Sequence, residues 1–181
     1  MIRPIVLAGG RGYEWEADPE RTAIVLPGAM LGGAPSCYYA AMALHRAGWR
    51  VVQDWDELDR ARDRAAWAKE RAEAALAYAG TASLLVAKSA TTLATGVAAE
   101  HDLAGIWLTP LFTENTCVEG LVARTAPALL VGGTADETWD GALARGLSDD
   151  VLELDGADHA LARIADLQPL VDAIAAFAAR V

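Results

Sequence analysis

The sequence predicts a three-layer, doubly wound α/β fold with a mostly parallel sheet of about seven strands. Two observations favour this fold class. Short apolar runs typical of buried strands alternate along the chain with longer segments of helical periodicity. The 181 residues are long enough to bury a full core, and no repeat, linker or low-complexity segment divides them. We therefore expect residues 1–181 to form one domain.

The composition excludes several classes of function. The formal net charge of −10 repels phosphate backbones and anionic lipids, so neither nucleic acid nor a membrane surface is expected as a partner. No uncharged apolar run reaches about 18 residues, and the N-terminus does not resemble a signal peptide, which together predict a cytoplasmic protein. Cys37 and Cys117 do not form a disulfide framework. The cysteines and the three histidines lack metal-ligand spacing, so no metal or cofactor is expected.

The first half of the chain is predicted to contain three strands and two helices. Residues 2–8 are typical of an edge strand, because Pro4 cannot donate a hydrogen bond within a sheet. The glycine-rich, polar segment 9–21 is predicted to be a loop, and no helix follows it that would make a phosphate-binding loop. The next predicted elements are a strand at 22–26, a helix at 36–47, a strand at 50–53 and a helix from Asp56 to Ala79 that Gly80 ends.

The second half continues the alternation. The predicted elements are strands at 83–87, 105–108, 128–131 and 151–154, and helices at 91–100, 116–124, 137–145 and 162–179. The segment between Leu108 and Ala128 is too short for a separate helical cap domain. In open parallel sheets ligands bind beyond the carboxyl ends of the strands, so the loops that follow the strands should carry the site.

A serine lies where the predicted strand 83–87 turns into a helix. A tight strand–turn–helix corner with a serine at its apex is typical of the nucleophile elbow of serine hydrolases, in which the hydroxyl projects above the sheet. The pattern here is Ala-x-Ser-x-Thr around Ser89, where Gly-x-Ser-x-Gly is usual. A serine at this position can also simply cap the following helix.

Two further side chains follow later strands. Asp136 comes just after the apolar run 128–131, and His159 comes after 151–154. An imidazole can take the proton of a serine hydroxyl, and an acid behind it fixes its tautomer. Separately, each residue is also typical of a solvated turn. Together, in the order Ser89, Asp136, His159 on different strand ends of one sheet, they predict a catalytic triad.

These residues resemble the α/β-hydrolase superfamily, in particular its small lidless esterases and dienelactone-hydrolase-like members. The resemblance extends over nearly the whole chain, and the segments that carry it are 26–29, 87–91, 133–136 and 156–161. It implies Ser89 as nucleophile, His159 as general base and Asp136 as the acid. It also implies an oxyanion hole made of the backbone N–H groups of Ala29 and Ala90.

The chain departs from the family pattern at three positions. Pro27 replaces the usual histidine of the first loop, and Ala87 and Thr91 replace the two glycines of the elbow. None of these changes removes a reacting group. Lys88 is expected to point away from the pocket, so the oxyanion donors should be backbone groups.

The substrate is predicted to be a small molecule. Met30, Leu31, Phe112 and Trp139 are apolar and lie near the predicted mouth of the site, which suits a small ester, thioester or lactone. The bond cleaved and the oligomeric state stay open at this stage. A non-catalytic α/β-hydrolase-like scaffold that binds a small molecule or a protein is the alternative, and a flavodoxin-like fold is a more distant one.

Overall fold

The computed structural model describes residues 1–29, 35–59, 61–161 and 166–181. These residues form eight strands, which are β1 Ile2–Leu7, β2 Gly10–Trp15, β3 Asp18–Val25, β4 Trp49–Asp54, β5 Leu84–Lys88, β6 Ala104–Leu108, β7 Ala128–Gly133 and β8 Asp150–Leu154. The strands make one sheet in the order β1-β2-β4-β3-β5-β6-β7-β8. The strands from β4 to β8 in this order pair in parallel, whereas β2 is antiparallel to both of its neighbours.

Helices cover both faces of the sheet. They are α1 Pro35–Arg46, α2 Arg64–Ala79, α3 Thr95–Glu100, α4 Asn115–Ala123, α5 Gly141–Leu147 and α6 Gln168–Ala178, and a short 3-10 helix spans Ser89–Ala94. Buried residues of α2 to α5 form one apolar core, and those of α1 and α6 form a second core on the opposite face. The predicted three-layer, doubly wound fold is therefore confirmed. Between β6 and β7 the chain forms only α4, so no cap domain is inserted there.

The strand β2 corrects the prediction of a loop over residues 9–21. Ala8 and Gly9 both have positive φ, at 47° and 84°, and this tight turn pairs β1 with β2 as a hairpin. Polar residues obscured the strand in the sequence. Glu14 is 4% exposed because Arg50 donates a hydrogen bond to it at 2.6 Å and Tyr78 donates another at 2.8 Å. Tertiary contacts, not local periodicity, therefore make β2 a strand.

Two helices begin later than the sequence predicted. Helix α2 begins at Arg64, where the Asp63 carboxylate accepts a hydrogen bond from the Ala66 N–H at 2.7 Å. Asp56, the predicted cap, instead pairs with Arg71 at 3.5 Å. Helix α5 begins at 141 and not at 137, because Asp140 caps it. The predicted start of the last helix at 162 falls outside the described residues, since 162–165 are not among them.

A buried ion pair joins the hairpin to the rest of the domain. Arg71 of α2 and Asp54 of β4 have side chains that are 1% and 0% exposed, and the guanidinium donates to both carboxylate oxygens at 2.7 and 2.8 Å. Arg71 also donates to the Leu7 carbonyl of β1 at 3.0 Å. A Cβ added at Gly10 would lie 2.8 Å from the same guanidinium, so the turn of the hairpin packs directly on it. No helix formed by the described residues is long and apolar enough to cross a bilayer.

The Asp54→Asn substitution is expected to destabilise the fold strongly. It leaves the Arg71 guanidinium buried without its carboxylate, and breaking a buried pair in this way costs about 3–5 kcal/mol. Urea unfolding followed by circular dichroism measures the free energy of unfolding.

Two control variants accompany this measurement. Lys69→Met on the exposed face of α2 removes only a surface pair with Glu73, so a change of less than about 0.5 kcal/mol is expected. The double substitution Asp54→Leu with Arg71→Met removes both charges and is expected to recover most of the loss. A loss below about 1 kcal/mol in Asp54→Asn would contradict the importance of the pair.

Candidate active site

Ser89 lies at the corner between β5 and the 3-10 helix. Its φ is +51°, a left-handed conformation that is uncommon for a residue with a Cβ atom. The corner is held from inside by Thr91, which is fully buried and stands where a glycine is usual. The Thr91 hydroxyl donates to the Pro27 carbonyl at 2.7 Å and accepts from the Lys88 N–H at 3.1 Å. The branched side chain is accommodated at the corner because its hydroxyl both donates and accepts a hydrogen bond there.

The structure brings Ser89, His159 and Asp136 together at the carboxyl edge of the sheet. The Nε2 of His159 lies 2.7 Å from the Oγ of Ser89, and its Nδ1 lies 2.8 Å from the Oδ2 of Asp136. The side chain of Asp136 is 1% exposed, whereas that of His159 is 37% exposed. Solvent and a small molecule can therefore approach the serine and the imidazole, while the carboxylate lies beneath them.

Hydrogen bonds keep the Asp136 carboxylate charged. Burial by itself would raise the pKa of Asp136, but the N–H of Thr138 at 2.9 Å, its hydroxyl at 2.7 Å and the His159 imidazole outweigh burial and lower that pKa. The Asp136 carboxylate can accept a hydrogen bond from the Nδ1–H of a His159 imidazole. In that tautomer of the neutral ring, Nε2 is the acceptor nitrogen and faces the Ser89 hydroxyl.

Sequence reasoning missed Thr138. Its hydroxyl lies 3.1 Å from the Nδ1 of His159, in addition to its contact with Asp136. The signal available in the sequence was the spacing Asp-x-Thr, because an aspartate often accepts hydrogen bonds from the second residue after it. That spacing indicates a turn, and only the fold shows that the turn faces His159.

Sequence reasoning also missed the surroundings of Lys88. Lys88 is 5% exposed, and its ammonium donates to the His159 carbonyl at 2.8 Å and to the Thr109 hydroxyl at 3.0 Å. The side chain therefore lies in the interior, against the main chain of His159. No local pattern around residue 88 indicates this contact, because it joins residues that are 71 positions apart in the chain.

The main chain of the first loop passes next to Ser89. A Cβ added at Gly28 would lie 3.8 Å from the Cβ of Ser89, so the residue before Ala29 lies close to Ser89. Ala90 is in the first turn of the 3-10 helix, where backbone N–H groups have no partner within the helix. The oxyanion role of Ala29 and Ala90 stays a prediction.

Two of the four predicted substrate contacts lie in the described part of the chain. The rings of Phe112 and Trp139 pack with their centroids 5.5 Å apart. They line an open cleft of about 470 Å³ together with Thr138 and the carboxylates of Glu137 and Asp140. Ser89 and His159 do not line this cleft, and the link to them is Thr138, whose hydroxyl lies 3.1 Å from the Nδ1 of His159. Met30 and Leu31 fall outside the described residues.

The two cysteines are not activated as nucleophiles. Cys37 and Cys117 are free and buried, and burial raises the pKa of both thiols to about 11. Within the described ranges, no group of three or more His, Cys, Asp and Glu side chains is arranged to hold a metal ion.

No protein-family model matches the sequence, and no curated protein matches it either. Solved structures do match. The esterase domain of a Rhodothermus marinus protein has a TM-score of 0.77 at 15% identity, covering 99% of this chain and 98% of its own. Dienelactone hydrolase from Anabaena variabilis has a TM-score of 0.74 at 14% identity, covering 99% and 97%. An alpha-beta serine hydrolase homologue from Coxiella burnetii has a TM-score of 0.72 at 15% identity, covering 99% and 96%.

At such low identities the likeness concerns the fold and not the activity. The match nevertheless extends over nearly the full length of this chain and of each of the three solved structures. The resemblance drawn from the sequence is confirmed at this level, and the chain has the α/β-hydrolase fold.

Proposed function

We propose that this chain is a serine hydrolase that cleaves a small ester, thioester or lactone through an acyl-enzyme on Ser89. The observation that supports the proposal most directly is the continuous contact from Ser89 through His159 to Asp136, with distances of 2.7 and 2.8 Å. Such distances are within hydrogen-bond reach, as a nucleophile, its base and an orienting acid require. The names of the structural neighbours, which include an esterase domain and a dienelactone hydrolase, point the same way.

The reaction follows from these contacts. The Ser89 Oγ attacks the carbonyl carbon of the substrate while His159 Nε2 takes its proton. The ionised Asp136 stabilises the imidazolium that forms. His159 then gives the proton to the departing oxygen or sulfur, which leaves an acyl group on Ser89. A water molecule, deprotonated by the same imidazole, attacks the acyl carbon, and the proton returns to Ser89 as the acid is released.

Backbone groups are proposed to stabilise the oxyanion. Ala90 follows Ser89 in the 3-10 helix, and Ala29 follows Gly28, where an added Cβ would lie 3.8 Å from the Cβ of Ser89. A preorganised donor of this kind contributes roughly 3 kcal/mol to the transition state. Lys88 is given no oxyanion role in this scheme, because two of its three ammonium donors are already directed to the His159 carbonyl and the Thr109 hydroxyl.

The substrate is proposed to be small and partly apolar. The cleft that Thr138 connects to His159 is open and has a volume of about 470 Å³, and its lining combines Phe112 and Trp139 with Thr138 and two carboxylates, Glu137 and Asp140. Aromatic walls suit the acyl or alcohol part of a small ester. A non-catalytic scaffold is the competing proposal, and the replacements at Pro27, Ala87 and Thr91 are the features that favour it.

Ser89→Ala is expected to abolish turnover and covalent labelling. The purified wild-type protein should hydrolyse p-nitrophenyl acetate at neutral pH and react with a fluorophosphonate at Ser89. The variant lacks the nucleophile, so kcat should fall on the order of 10⁶-fold, to the background rate. Mass spectrometry of the labelled protein identifies the modified residue.

Ser83→Ala is the matched control, because Ser83 is exposed just before the same strand and makes no contact with the triad. It should react like the wild type. A folded wild-type protein that neither turns over p-nitrophenyl acetate nor labels at Ser89 would support the scaffold and overturn the hydrolase.

Asp136→Asn is expected to lower kcat by about 10⁴-fold with little loss of fold. The amide is neutral and does not hold the imidazole in the tautomer that accepts the serine proton. Asp149→Asn makes the same substitution at an exposed carboxylate that does not line the cleft, and it should leave kcat unchanged. Steady-state kinetics with p-nitrophenyl acetate separates the two. Equal activity of both variants would remove Asp136 from the mechanism.

A further inference from the structure

We propose that Lys88 is a positioning residue for the catalytic base, and that its buried amine holds the His159 main chain where the imidazole meets Ser89. This inference rests on the proposed function, since a positioned base matters to a serine that reacts. The contacts that carry it are the hydrogen bonds from Lys88 Nζ to the His159 carbonyl at 2.8 Å and to the Thr109 hydroxyl at 3.0 Å.

The place of Lys88 in the fold suits this role. It is the last residue of β5 and directly precedes Ser89, and it pairs with Leu108 at the end of β6. From there its side chain reaches Thr109, just after β6, and His159, in the loop after β8. One side chain therefore joins the strand that carries the nucleophile to the loop that carries the base.

The partner Thr109 is itself in a disfavoured conformation. It has a φ of +46° and is fully buried, which is a genuine outlier for a β-branched residue. Such conformations persist where the surroundings hold them, and they cluster at functional sites. Here the Thr109 N–H donates to the Val131 carbonyl at 2.7 Å, and its hydroxyl accepts from Lys88. The strained backbone places an acceptor where the Lys88 amine can use it.

The energetics argue against a purely structural role. Burial lowers the pKa of Lys88, while Cys37 and the carboxylates of Asp136 and Asp158 act in the opposite direction. In the described part of the chain, no carboxylate lies within ion-pair distance of this ammonium, and the acceptors it contacts are a carbonyl and a hydroxyl. Burying a lysine on such partners costs free energy that an apolar residue would not. Retaining the amine here therefore indicates a task other than stability.

The contact with His159 indicates what this role of Lys88 is. The base lies on the loop over residues 155–161, and its side chain is 37% exposed, so packing alone does not fix the ring. The hydrogen bond from Lys88 joins the main chain of that residue to the strand that carries Ser89. A displacement of about 1 Å between reacting groups can reduce the rate by about 100-fold. Holding the carbonyl of the base residue is therefore a direct way to protect catalysis.

The test compares Lys88→Met, which keeps the length of the side chain and removes its donors, with Lys88→Arg, which keeps a donating cation. The rate of fluorophosphonate labelling at Ser89 and kcat for p-nitrophenyl acetate are expected to fall by about 10- to 100-fold in Lys88→Met. KM should change little, because Lys88 does not touch the substrate. Lys88→Arg should recover part of the loss. Lys69→Met, the same substitution on the exposed face of α2, should label and turn over at the wild-type rate.

A spectroscopic signal makes the test independent of turnover. The proton between His159 Nδ1 and Asp136 should give a far-downfield proton NMR signal in the wild type, and this signal should broaden or vanish in Lys88→Met. If the wild type does not label, the hydrolase proposal fails, and the NMR comparison alone still decides whether Lys88 positions His159.

Three results would overturn the inference. The first is a folded Lys88→Met that labels at the wild-type rate. If the wild type itself does not label, the equivalent result is a Lys88→Met that keeps the downfield proton signal. The second is a Lys88→Arg no faster than Lys88→Met. The third is loss of the folded circular dichroism spectrum in both Lys88→Met and Lys88→Gln, because Lys88 would then be a structural residue.

Discussion

The left-handed backbone at Ser89 is the constraint on which the site depends. A strand that ends and a helix that begins within one residue force φ to +51°, and this turns the hydroxyl above the sheet toward His159. Glycines usually flank the serine at such a corner. Here Thr91 occupies one of those positions, and its hydroxyl links the corner to the Pro27 carbonyl of the neighbouring loop. A side chain that would be a steric obstacle elsewhere becomes a hydrogen-bonded support.

The parallel sheet supplies the rest of the geometry. Because β5, β7 and β8 run in the same direction, the loops that follow them meet at one edge. Ser89, Asp136 and His159 each belong to one of these loops. Their convergence is therefore a consequence of topology, and the side chains that contact them locally include Thr138 and Lys88.

The difference between strand topology and long-range side-chain contacts explains what the sequence could and could not predict. Continuous apolar runs such as 84–87 and 128–131 revealed the parallel strands, and their order placed Ser89, Asp136 and His159 at one edge. The strand β2 was missed because its polar Glu14 is acceptable in the sheet only beside Arg50 and Tyr78, which are distant in sequence. The start of α2 was wrong for a similar reason, since Asp56 is drawn to Arg71.

The contacts missed within the site are also long-range. Lys88 meets His159 across 71 residues, and Thr138 meets it across 21. Nothing in the local sequence of either residue encodes these distances. Single-sequence reasoning identifies residue types that can do the chemistry, whereas the residues that hold them in place become visible only when the strand ends are brought together.

Backbone strain distinguishes this edge of the sheet from the rest of the molecule. Ala8 and Asp102 also have positive φ, but both lie in exposed turns. Thr109 and Leu161 have positive φ and are buried, and Ser89 is partly buried. Ser89 and Thr109 follow adjacent strands, and Leu161 lies two residues after His159. Lys88 donates a hydrogen bond to the Thr109 hydroxyl and directly precedes Ser89 in the chain. Three residues with positive φ and a buried lysine therefore lie at one edge of the sheet, so the backbone strain is concentrated beside the candidate triad.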